Sequence, residues 1–342
     1  MNAAPGDWTG RRVLVTGGAG FLGANLAEAL CRAGAQVTIV DAMLDGSGAN
    51  PENIAALSPA PRFLRADLRV LPDGDLAALV GAQDVVFHLA AKVGHMESMS
   101  APLADLEHNA IATLRLLEAL RSANPAARIV HASTRQFYGR PRTLPVPEDH
   151  PLEPPDCNGV SKLAAEHYAL LYARAHRMAV TSLRLTNCYG PRMRIRDARL
   201  NFLGAWLGAA LARAGFEVWG GEQLRDLTYA DDAVAALLLA ATAPAAAMSG
   251  QPFNVGGFPP VKLVDLARMV VEAVGGGTTK VVPFPEERKR IDIGSYVADD
   301  RAFRAATGWR PRVDVATGLA ATVAYFRPRL AAYLDPDPGP AG

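Results

Sequence analysis

Gly17, Gly20 and Gly23 follow a hydrophobic segment that begins at Val13, in the pattern G-x-x-G-x-x-G. Glycines in such a turn let the main chain approach a phosphate, and the last one lets the following helix sit close to the sheet. The helix N-terminus adds unpaired N–H groups and the positive end of the helix dipole. Because helical spacing of leucines follows, we expect these residues to bind a dinucleotide pyrophosphate and not to be an ordinary strand–turn–helix.

Acidic and small residues at the ends of later strands indicate which dinucleotide binds. Asp41 ends the second predicted strand, where a carboxylate accepts hydrogen bonds from two ribose hydroxyls and repels a 2′-phosphate, so NAD is favoured over NADP. Asp67 either faces the adenine or caps a helix. Ala90 and Ala91 would let the cofactor lie against the main chain. The expected cofactor-binding residues in this region are Gly17, Gly20, Phe21, Leu22, Gly23, Asp41, Asp67, Leu68, Leu89, Ala90 and Ala91.

The elements that must position these residues alternate regularly. Strand-like segments at 62–67, 84–91, 127–134 and 179–187 are separated by helical patterns. This alternation predicts an α/β protein with a Rossmann-type, doubly wound parallel sheet whose sites lie at the carboxyl ends of the strands. We also expect a smaller α/β C-terminal substrate-binding domain.

The boundaries of the two predicted domains follow from where the alternation stops. We assign residues 1–187, with returning segments at about 226–257, to the NAD-binding Rossmann domain. Residues 188–225 and 258–330 form the predicted substrate domain, which starts with a basic loop that contains Arg192, Arg194, Arg196 and Arg199. Residues 331–342 are predicted to be a disordered tail because their end is rich in Pro, Gly and Asp.

Composition excludes several classes of partner. The chain has 35 Lys and Arg against 34 Asp and Glu, and this net charge of +1 gives no reason to expect nucleic acid or an anionic membrane. Three cysteines without metal-ligand spacing suggest reduced thiols and no metal site. A polar N-terminus and a short Ala-rich run at 233–248 predict neither a signal peptide nor a membrane span, so we expect a cytoplasmic protein.

Two long helical stretches, at 103–122 and 159–176, follow the fourth and fifth strands. The first carries an apolar stripe at Leu106, Ala110, Thr113, Leu114, Leu117 and Leu120. Such a stripe is usually part of the core. A helix pair of this kind can also form a homodimer by packing as a four-helix bundle, and the pattern leaves both interpretations open.

Six short motifs follow one another along the chain: T-G-G-A-G-F-L-G (16–23), H-L-A-A (88–91), S-T with Y-G (133–134 and 138–139), S-K-L-A-A-E (161–166), R-L-T-N-C-Y-G-P (184–191) and R-D-L-T-Y-A-D-D (225–232). Together they resemble the extended short-chain dehydrogenase/reductase family, in particular the NAD-dependent nucleotide-sugar epimerases and dehydratases. The resemblance covers nearly the whole chain, and it implies a nucleotide-sugar substrate.

The resemblance implies catalytic roles for Thr134, which would orient the sugar hydroxyl, and Lys162, which would bind the nicotinamide ribose. Family members carry a Tyr four residues before the Lys, and the Lys stabilises its phenolate because a phenol with a pKa of ~10 is a poor base at neutral pH. This chain has Asn158 at that position. A carboxamide can bind a substrate but cannot act as a general base.

Another group must therefore take the proton, or the redox step is lost. One candidate is Lys162, acting directly or through a water. The others lie in the loop 92–98, which faces the sugar in the family: His95 titrates near neutrality, and Glu97 lies two residues further on. The alternative interpretation of His95, which we favour, is a loop histidine without chemistry. Lys92 and Ser98 of the same loop are expected to contact the substrate.

The residues after Thr134 bear on the reaction type. Dehydratases of the family typically carry an Asp-Glu pair there, whereas this chain has Arg135 and Gln136. Without the carboxylate pair, oxidation followed by re-reduction is favoured over elimination. Arg135 either binds a carboxylate or phosphate of the substrate or forms a surface salt bridge.

The resemblance also implies the remaining substrate contacts. Asn187 would contact the sugar or diphosphate, Arg225 and Arg290 would bind diphosphate oxygens, and Asp292 would bind the nucleotide ribose. The sequence thus favours an NAD-dependent epimerase that acts on a ring carbinol, most simply at C4. The alternatives are a nucleotide-sugar dehydratase or dehydrogenase, and a catalytically silent protein that binds NAD and a sugar nucleotide.

Overall fold

The computed structural model describes residues 5–198 and 201–334. Arg199 of the basic loop and residues 335–342 of the predicted tail lie outside the described residues. The strands are β1 (Arg12–Thr16), β2 (Gln36–Asp41), β3 (Arg62–Arg65), β4 (Val85–His88), β5 (Arg128–Thr134), β6 (Ala179–Leu185), β7 (Asn187–Tyr189), β8 (Gly215–Trp219), β9 (Leu224–Arg225), β10 (Leu227–Tyr229), β11 (Pro252–Val255), β12 (Val261–Lys262) and β13 (Thr278–Val282).

Helices separate most of these strands, although β6 is followed directly by β7, β8 by β9 and β10, and β11 by β12. They are α1 (Phe21–Arg32), α2 (Glu52–Ala55), α3 (Asp73–Gly81), α4 (His95–Ser100), α5 (Pro102–Leu106), α6 (Ala112–Ala123), α7 (Cys157–His176), α8 (Phe202–Leu211), α9 (Ala230–Thr242), α10 (Ala245–Met248), α11 (Leu263–Val274), α12 (Glu286–Lys289), α13 (Arg301–Thr307), α14 (Val315–Phe326) and α15 (Leu330–Leu334). A π-helical turn, Glu107–Ile111, joins α5 to α6. No helix within the two described ranges is both long enough and apolar enough to cross a membrane.

A parallel sheet of seven strands, in the order β11-β6-β5-β4-β1-β2-β3, forms the centre of the molecule. Val13, Leu14 and Val15 of β1 are completely buried, as expected for a strand that is covered by helices on both faces. The strand order reverses between β1 and β4, and an open sheet of this kind binds ligands at such a switch point. The predicted Rossmann-type α/β fold is confirmed.

A smaller α/β unit packs beside the sheet. Its parallel strand pair, β8 and β13, is covered by α8 and α11, and α14 packs against α11. Leu207, Leu266 and Phe326 are completely buried in its apolar core. The second unit therefore has a core of its own, in addition to the clusters that flank the main sheet.

Part of the segment that the sequence assigned to the substrate domain returns to the sheet. Phe303 of α13 packs on Phe253 of β11, with ring centroids 5.7 Å apart, and Trp309 packs on Phe303 at 5.8 Å. The Trp309 indole N–H also donates to the Asp232 carbonyl oxygen at 3.0 Å. The sequence analysis assigned these residues to the substrate domain because the alternation of strands and helices stops before them. In the structure they fill the core of the Rossmann sheet.

The predicted start of the disordered tail at residue 331 is wrong. Residues 331–334 belong to α15, and the Tyr333 side chain is 6% exposed. Its hydroxyl donates to Asn53 Oδ1 at 2.6 Å. Burial of the Tyr333 side chain therefore holds residues 331–334 in a helix, although the residues that follow are rich in Pro, Gly and Asp.

The apolar stripe of the first long helical stretch is mostly core. Ala110, Thr113, Leu117 and Leu120 are buried. Leu106, in contrast, is 39% exposed, and Leu103 is 75% exposed on the same stretch. The stretch therefore has a buried face and a separate exposed apolar face.

Candidate active site

A cleft with a volume of about 400 Å³ opens at the carboxyl ends of β1, β2, β4, β5 and β6. Every residue that the sequence assigned to the dinucleotide lines it, including Lys162. The catalytic candidates Thr134, Asn158 and His95 line the same cleft, as do Arg135 and Asn187. The sheet thus brings residues from five strands and their loops to one surface.

The glycine turn is shaped by close main-chain contacts. Gly17 has a φ of +70°, and a Cβ there would lie 2.7 Å from the Ala90 nitrogen. A Cβ at Gly23 would overlap the Gly17 carbonyl oxygen. Helix α1 starts after Gly20 with no side-chain cap and no acidic residue in its first turn, so its N–H groups stay available to an anion. This cradle fits a pyrophosphate.

Asp41 is held so that it can accept further hydrogen bonds. Its Oδ2 accepts from the Ala19 N–H at 3.1 Å and its Oδ1 from the Met43 N–H at 2.9 Å. Burial raises the pKa of Asp41, and these two bonds oppose that shift. A carboxylate has about four acceptor positions, so two remain for ribose hydroxyls.

Asp67 lines the cleft but is already saturated with hydrogen bonds. The Arg69 Nε donates to Oδ1 at 3.1 Å and to Oδ2 at 3.0 Å, and Nη2 donates to Oδ2 at 2.6 Å. The Arg69 main-chain N–H adds a bond to Oδ1 at 2.9 Å. Burial raises the pKa of Asp67, but the bonds from Arg69 outweigh it and the pKa is lowered.

Thr134 and Lys162 come from adjacent elements. Thr134 is the last residue of β5, and its Oγ1 accepts from the Gln136 N–H at 3.2 Å, which leaves the hydroxyl proton free to be donated. Lys162 lies on the second turn of α7. Burial lowers the pKa of Lys162 to about 8, although the charge of Asp105 opposes the shift. A neutral amine is therefore present at mildly alkaline pH.

Asn158 is a structural tie in the wall of the cleft. It is 1% exposed, and its Nδ2 donates at 2.9 Å both to the Lys92 carbonyl oxygen and to Asp105 Oδ2. Its main-chain N–H donates to Ser98 Oγ at 3.1 Å. The Asn158 side chain therefore joins α7 to the loop 92–98 and to α5.

Asp105, which the sequence analysis missed, is the centre of this tie. It is completely buried, and it also accepts hydrogen bonds from Asn109 Nδ2, at 3.0 Å, and from the Ser161 hydroxyl. Asn109 reaches Ser161 as well, at 3.1 Å. In the sequence Asp105 is one of several charged residues of the helical stretch 103–122, and nothing there reveals its partners.

His95 is held at the cleft by a buried carboxylate. Its Nδ1 lies 2.9 Å from Asp156 Oδ2, and the Asp156 side chain is completely buried whereas that of His95 is 44% exposed. Asp156 also caps α7, because its Oδ1 accepts from the Gly159 N–H at 2.6 Å. Burial raises the pKa of Asp156, but the hydrogen bonds from His95, Gly159 and Gln136 outweigh it and the pKa is lowered. The sequence analysis missed Asp156.

Val93 of the loop 92–98 also lines the cleft, whereas Lys92, Glu97 and Ser98 do not. Lys92 Nζ and Glu97 Oε1 pair with each other at 2.9 Å. Ser98 is buried, and its hydroxyl donates to the His95 carbonyl oxygen at 2.8 Å. The expectation that Lys92, Glu97 and Ser98 face the sugar is therefore not met, because their side chains hold the loop itself.

Arg135 is not a surface salt bridge. Its Nη2 donates to Asn187 Oδ1 at 2.6 Å, and its guanidinium lies 5.2 Å from the centre of the Tyr296 ring. Its Nη1 is buried and has no hydrogen-bond partner among the described residues. Burial lowers the pKa of Arg135, and the Asp226 charge opposes the shift. One arm of the guanidinium is thus free to bind a ligand.

The remaining predicted substrate residues lie away from the cleft. Arg225 is 6% exposed and pairs with Asp292, with Nη2 and Oδ1 3.3 Å apart. Burial lowers the pKa of Arg225 to about 10, and the charge of Arg135 adds to this effect. Asp292 lines a separate surface hollow with Lys289. Arg290, two residues before Asp292 in the chain, is exposed.

A glycine cradle at the switch point of a Rossmann sheet, beside a Thr and a Lys, is typical of dinucleotide-dependent enzymes that act on alcohols. Residues 13–256 match the NAD dependent epimerase/dehydratase family, and the chain belongs to this family. NAD is its cofactor, in agreement with the glycine turn and Asp41 that line the cleft.

Individual relatives cover nearly the whole chain. UDP-glucose 4-epimerase of Mycolicibacterium smegmatis is 32% identical over 92% of this chain and 98% of its own length. dTDP-glucose 4,6-dehydratase of an Actinoplanes species is 31% identical over 92% and 98%. The crystal structure of Thermus thermophilus UDP-glucose 4-epimerase in complex with NAD is similar with a TM-score of 0.80 and 28% identity, over 92% of this chain and 99% of that one. The chain is about equally similar to epimerases and to dehydratases.

Proposed function

We propose that this chain is an NAD-dependent epimerase that inverts a ring carbinol, at C4, of a nucleotide-activated sugar. Two of the three relatives described above are named UDP-glucose 4-epimerase and dTDP-glucose 4,6-dehydratase, and both names support a nucleotide-activated sugar as the substrate class. NAD, held by the glycine turn, Asp41 and Lys162, would supply a reversible hydride acceptor beside the carbinol carbon. Catalysis therefore consumes no reductant.

The distribution of carboxylates around the cleft carries this proposal. Among the described residues that line it, the only carboxylates are Asp41 and Asp67, and both follow the β2 and β3 strands at the adenosine end. After Thr134, Arg135 binds Asn187, and Gln136 Nε2 donates to Asp156 Oδ2 at 3.0 Å. Elimination of water needs an acid and a base beside the reacting carbons. The cleft therefore favours re-reduction over elimination.

Lys162 takes the proton of the ring hydroxyl and returns it after inversion. Its pKa of about 8 lies near neutral pH, where a base combines a useful population of the neutral form with sufficient basicity. The Thr134 hydroxyl donates a hydrogen bond to the same substrate oxygen and so orients it. Asn158 takes no part in the transfer, because its amide protons are committed to Lys92 and Asp105. The proton balance closes, because the ring hydroxyl gives its proton to Lys162 when the alcohol is oxidised, and the ketone oxygen takes that proton back when it is reduced.

The free arm of Arg135 selects substrates that carry a hydrogen-bond acceptor on the sugar. A buried guanidinium N–H without a partner costs free energy, and a hydroxyl, carbonyl or carboxylate oxygen of the substrate removes that cost. Asn187, which holds the other arm through its Oδ1, fixes the orientation of the fork. This feature would act on substrate binding more than on the chemical step.

Dehydration is the second candidate function, and the His95–Asp156 pair favours it. An imidazole that is oriented by a buried carboxylate can transfer a proton at a carbon next to the reacting one. His95 would then act as the acid or base that a dehydratase needs, while Lys162 serves the carbinol. Glu97 does not contribute in either case, because it pairs with Lys92 outside the cleft.

The deciding experiment is an NMR assay of product sugars. The full-length chain with catalytic NAD is incubated with UDP-, GDP-, CDP-, ADP- and dTDP-sugars in turn. We expect one of them to give its C4 epimer without net formation of NADH. A dehydrated keto sugar would instead establish the second candidate, and tight binding of every sugar nucleotide without any product would support a binding role.

The exposed apolar face indicates a second copy of the chain as partner. Leu103 and Ile111 are 75% and 42% exposed on the stretch from α5 to α6, and Val160 and Leu171 are 54% and 46% exposed on α7. The two stretches pack side by side. A continuous apolar surface on two long helices suits a four-helix interface between two copies. The proposed enzyme is therefore a homodimer.

A further inference from the structure

A buried carboxylate is bonded to the face of α7 that carries Lys162. Asn158, Ser161 and Lys162 stand at helical positions i, i+3 and i+4, so their side chains share one face of α7. Asn158 Nδ2 donates to Asp105 Oδ2 at 2.9 Å, and the Ser161 hydroxyl donates to Asp105 Oδ1. Asp105 of α5 is therefore bound to the two residues beside Lys162 on this face.

The hydrogen bonds to Asp105 do not neutralise its charge. The third side-chain donor is Asn109 Nδ2, which lies 3.0 Å from Oδ1, so the three donors are two amides and a hydroxyl. Asp105 is 0% exposed, and water therefore screens the carboxylate little. Its negative charge acts on neighbouring groups through a medium of low dielectric constant.

Lys162 is the cation on which this charge acts. Burial lowers the pKa of Lys162 to about 8, and the charge of Asp105 opposes that shift. Two imidazoles also lie near the amine. Burial lowers the pKa of His88 to about 4 and that of His131 well below its ordinary value, and the charge of Lys162 adds to both shifts. Both rings are uncharged near neutral pH, so Asp105 supplies the negative charge beside the amine.

The other titratable side chains on the elements that pack against α7 are bound to different partners. The ion pairs are His95–Asp156, Glu97–Lys92, Glu107–Arg69, Arg115–Asp73, Glu118–Arg121 and Arg184–Glu166. The hydrogen bonds to neutral groups are those of His108 to the Ala104 carbonyl oxygen, Arg128 to the Ala240 carbonyl oxygen and Tyr138 to Asn254. The proton of Lys162 should therefore respond to Asp105 before any of these groups.

We propose that Asp105 is a positioning residue for Lys162: its buried charge opposes the loss of the ammonium proton, and its bonds to Asn158 and Ser161 hold the helix face that presents the amine to the cleft. The role of Lys162 as a base rests on the proposed function, but its titration requires no turnover. Removal of the carboxylate should release the proton of Lys162 at lower pH.

Competitive labelling measures the titration of Lys162 in the folded, full-length chain. A trace of acetic anhydride reacts only with unprotonated amines, and mass spectrometry of the peptides gives the acetylation of each lysine between pH 6 and 11. Lys262 at the surface provides a reference in the same digest.

Two neutral variants remove the charge of Asp105. Asp105→Asn keeps the shape of the side chain, and Asp105→Ser keeps an oxygen that accepts from the amides if the first variant does not fold. Asp105→Glu retains the charge. Glu107→Gln is the matched control, because its carboxylate lies on the same helical stretch but is 58% exposed and pairs with Arg69.

We expect Lys162 of the wild type to react with a midpoint near pH 8. A neutral residue at position 105 should lower this midpoint by about one pH unit, the effect of one nearby opposite charge. Asp105→Glu and Glu107→Gln should keep the wild-type midpoint. A purely structural carboxylate would change the free energy of unfolding and not the midpoint, so an unchanged or raised midpoint in either folded neutral variant would overturn the proposal.

The pH dependence of epimer formation distinguishes this inference from the proposed function. If Lys162 is the base, the acid limb of kcat should move to lower pH by as much as the labelling midpoint does. A midpoint that moves while the acid limb stays in place would support the action of Asp105 on the amine and contradict Lys162 as the base. Labelling gives its result even in a chain without turnover.

Discussion

Asn158 Nδ2 donates to the buried Asp105 Oδ2 at 2.9 Å, so a side chain that lines the cleft is bonded to a carboxylate behind it. The same amide holds the Lys92 carbonyl oxygen. This geometry assigns to Asn158 a role in stability that a general base would not have.

Asn158→Ala should therefore destabilise the fold more than it impairs proton transfer. Asp105 and the Lys92 carbonyl oxygen would each lose a donor, and unpaired buried groups cost about 1–3 kcal/mol. Urea unfolding gives the free energy of unfolding, with Gln251→Ala as a control at an exposed carboxamide. A stability equal to the wild type, combined with complete loss of turnover, would contradict the structural role and return Asn158 to the chemistry.

Lys162→Met should lower kcat by on the order of 10²–10⁴-fold, which is the usual contribution of a general base. In the wild-type chain, kcat should rise with pH through about 8, because the amine becomes a base only when it loses its proton. Lys262→Met is the matched control, since Lys262 pairs with Glu222 at the surface. The measurement is the rate of epimer formation between pH 6 and 9.

The same profile separates Lys162 from His95. If His95 were the base, Lys162→Met would keep the pH dependence and His95→Gln would abolish it. Asp156→Asn would then shift the profile, because the carboxylate that faces the imidazole would be lost. Retention of full turnover in Lys162→Met would rule out the proposed transfer.

Asp226 should make the fold less stable as the pH rises. Burial raises the pKa of Asp226 to about 6 from an ordinary value of 3.8, although the Ala298 N–H and the Arg135 charge oppose the shift. A group with a raised folded-state pKa contributes stability that is fully present below its unfolded-state pKa and is lost as the pH rises through the folded one.

Asp226→Asn should therefore be more stable than the wild type at pH 8, by about 1–3 kcal/mol, and the difference should vanish near pH 4. Urea unfolding at the two pH values measures it, and Asp45→Asn at an exposed site is the control. A difference that grows on acidification would have the wrong sign for a buried, destabilised carboxylate.

Leu103→Glu should convert the proposed homodimer into a monomer, because the substitution would bury a charge in the apolar interface. Val70→Glu is a matched control, since Val70 is 74% exposed, as Leu103 is 75%, but lies outside the helix pair. Light scattering after size exclusion gives the mass. A monomeric wild type, or a dimer that survives the substitution, would place the interface elsewhere or exclude it.

The sequence predicted those parts of the molecule whose signals are local. The turn from Gly17 to Gly23 and the alternation of strands and helices depend on neighbours within a few residues, and both are confirmed in the sheet. Asp41 at the end of β2 lines the cleft as expected.

Contacts between distant segments were beyond such reasoning. Asp156 reaches His95 and Asp105 reaches Asn158 across more than fifty positions of the chain. The Arg69 bonds that saturate Asp67 depend on a side-chain rotamer, which no periodicity encodes. The ion pair between Lys92 and Glu97 also depends on side-chain rotamers, so the sequence did not reveal that these two side chains bind each other and not the sugar.

Phe303 and Trp309 give the architecture a further property. They are 0% and 2% exposed in the core of the Rossmann sheet, yet they lie beyond residue 256, where the family match ends. A recombinant fragment cut at that boundary would lack two large aromatic side chains of its own interior and expose the cavity they fill. The chain returns from the smaller unit to complete the core of the Rossmann sheet. The two units therefore cannot be separated by a single cut after residue 256.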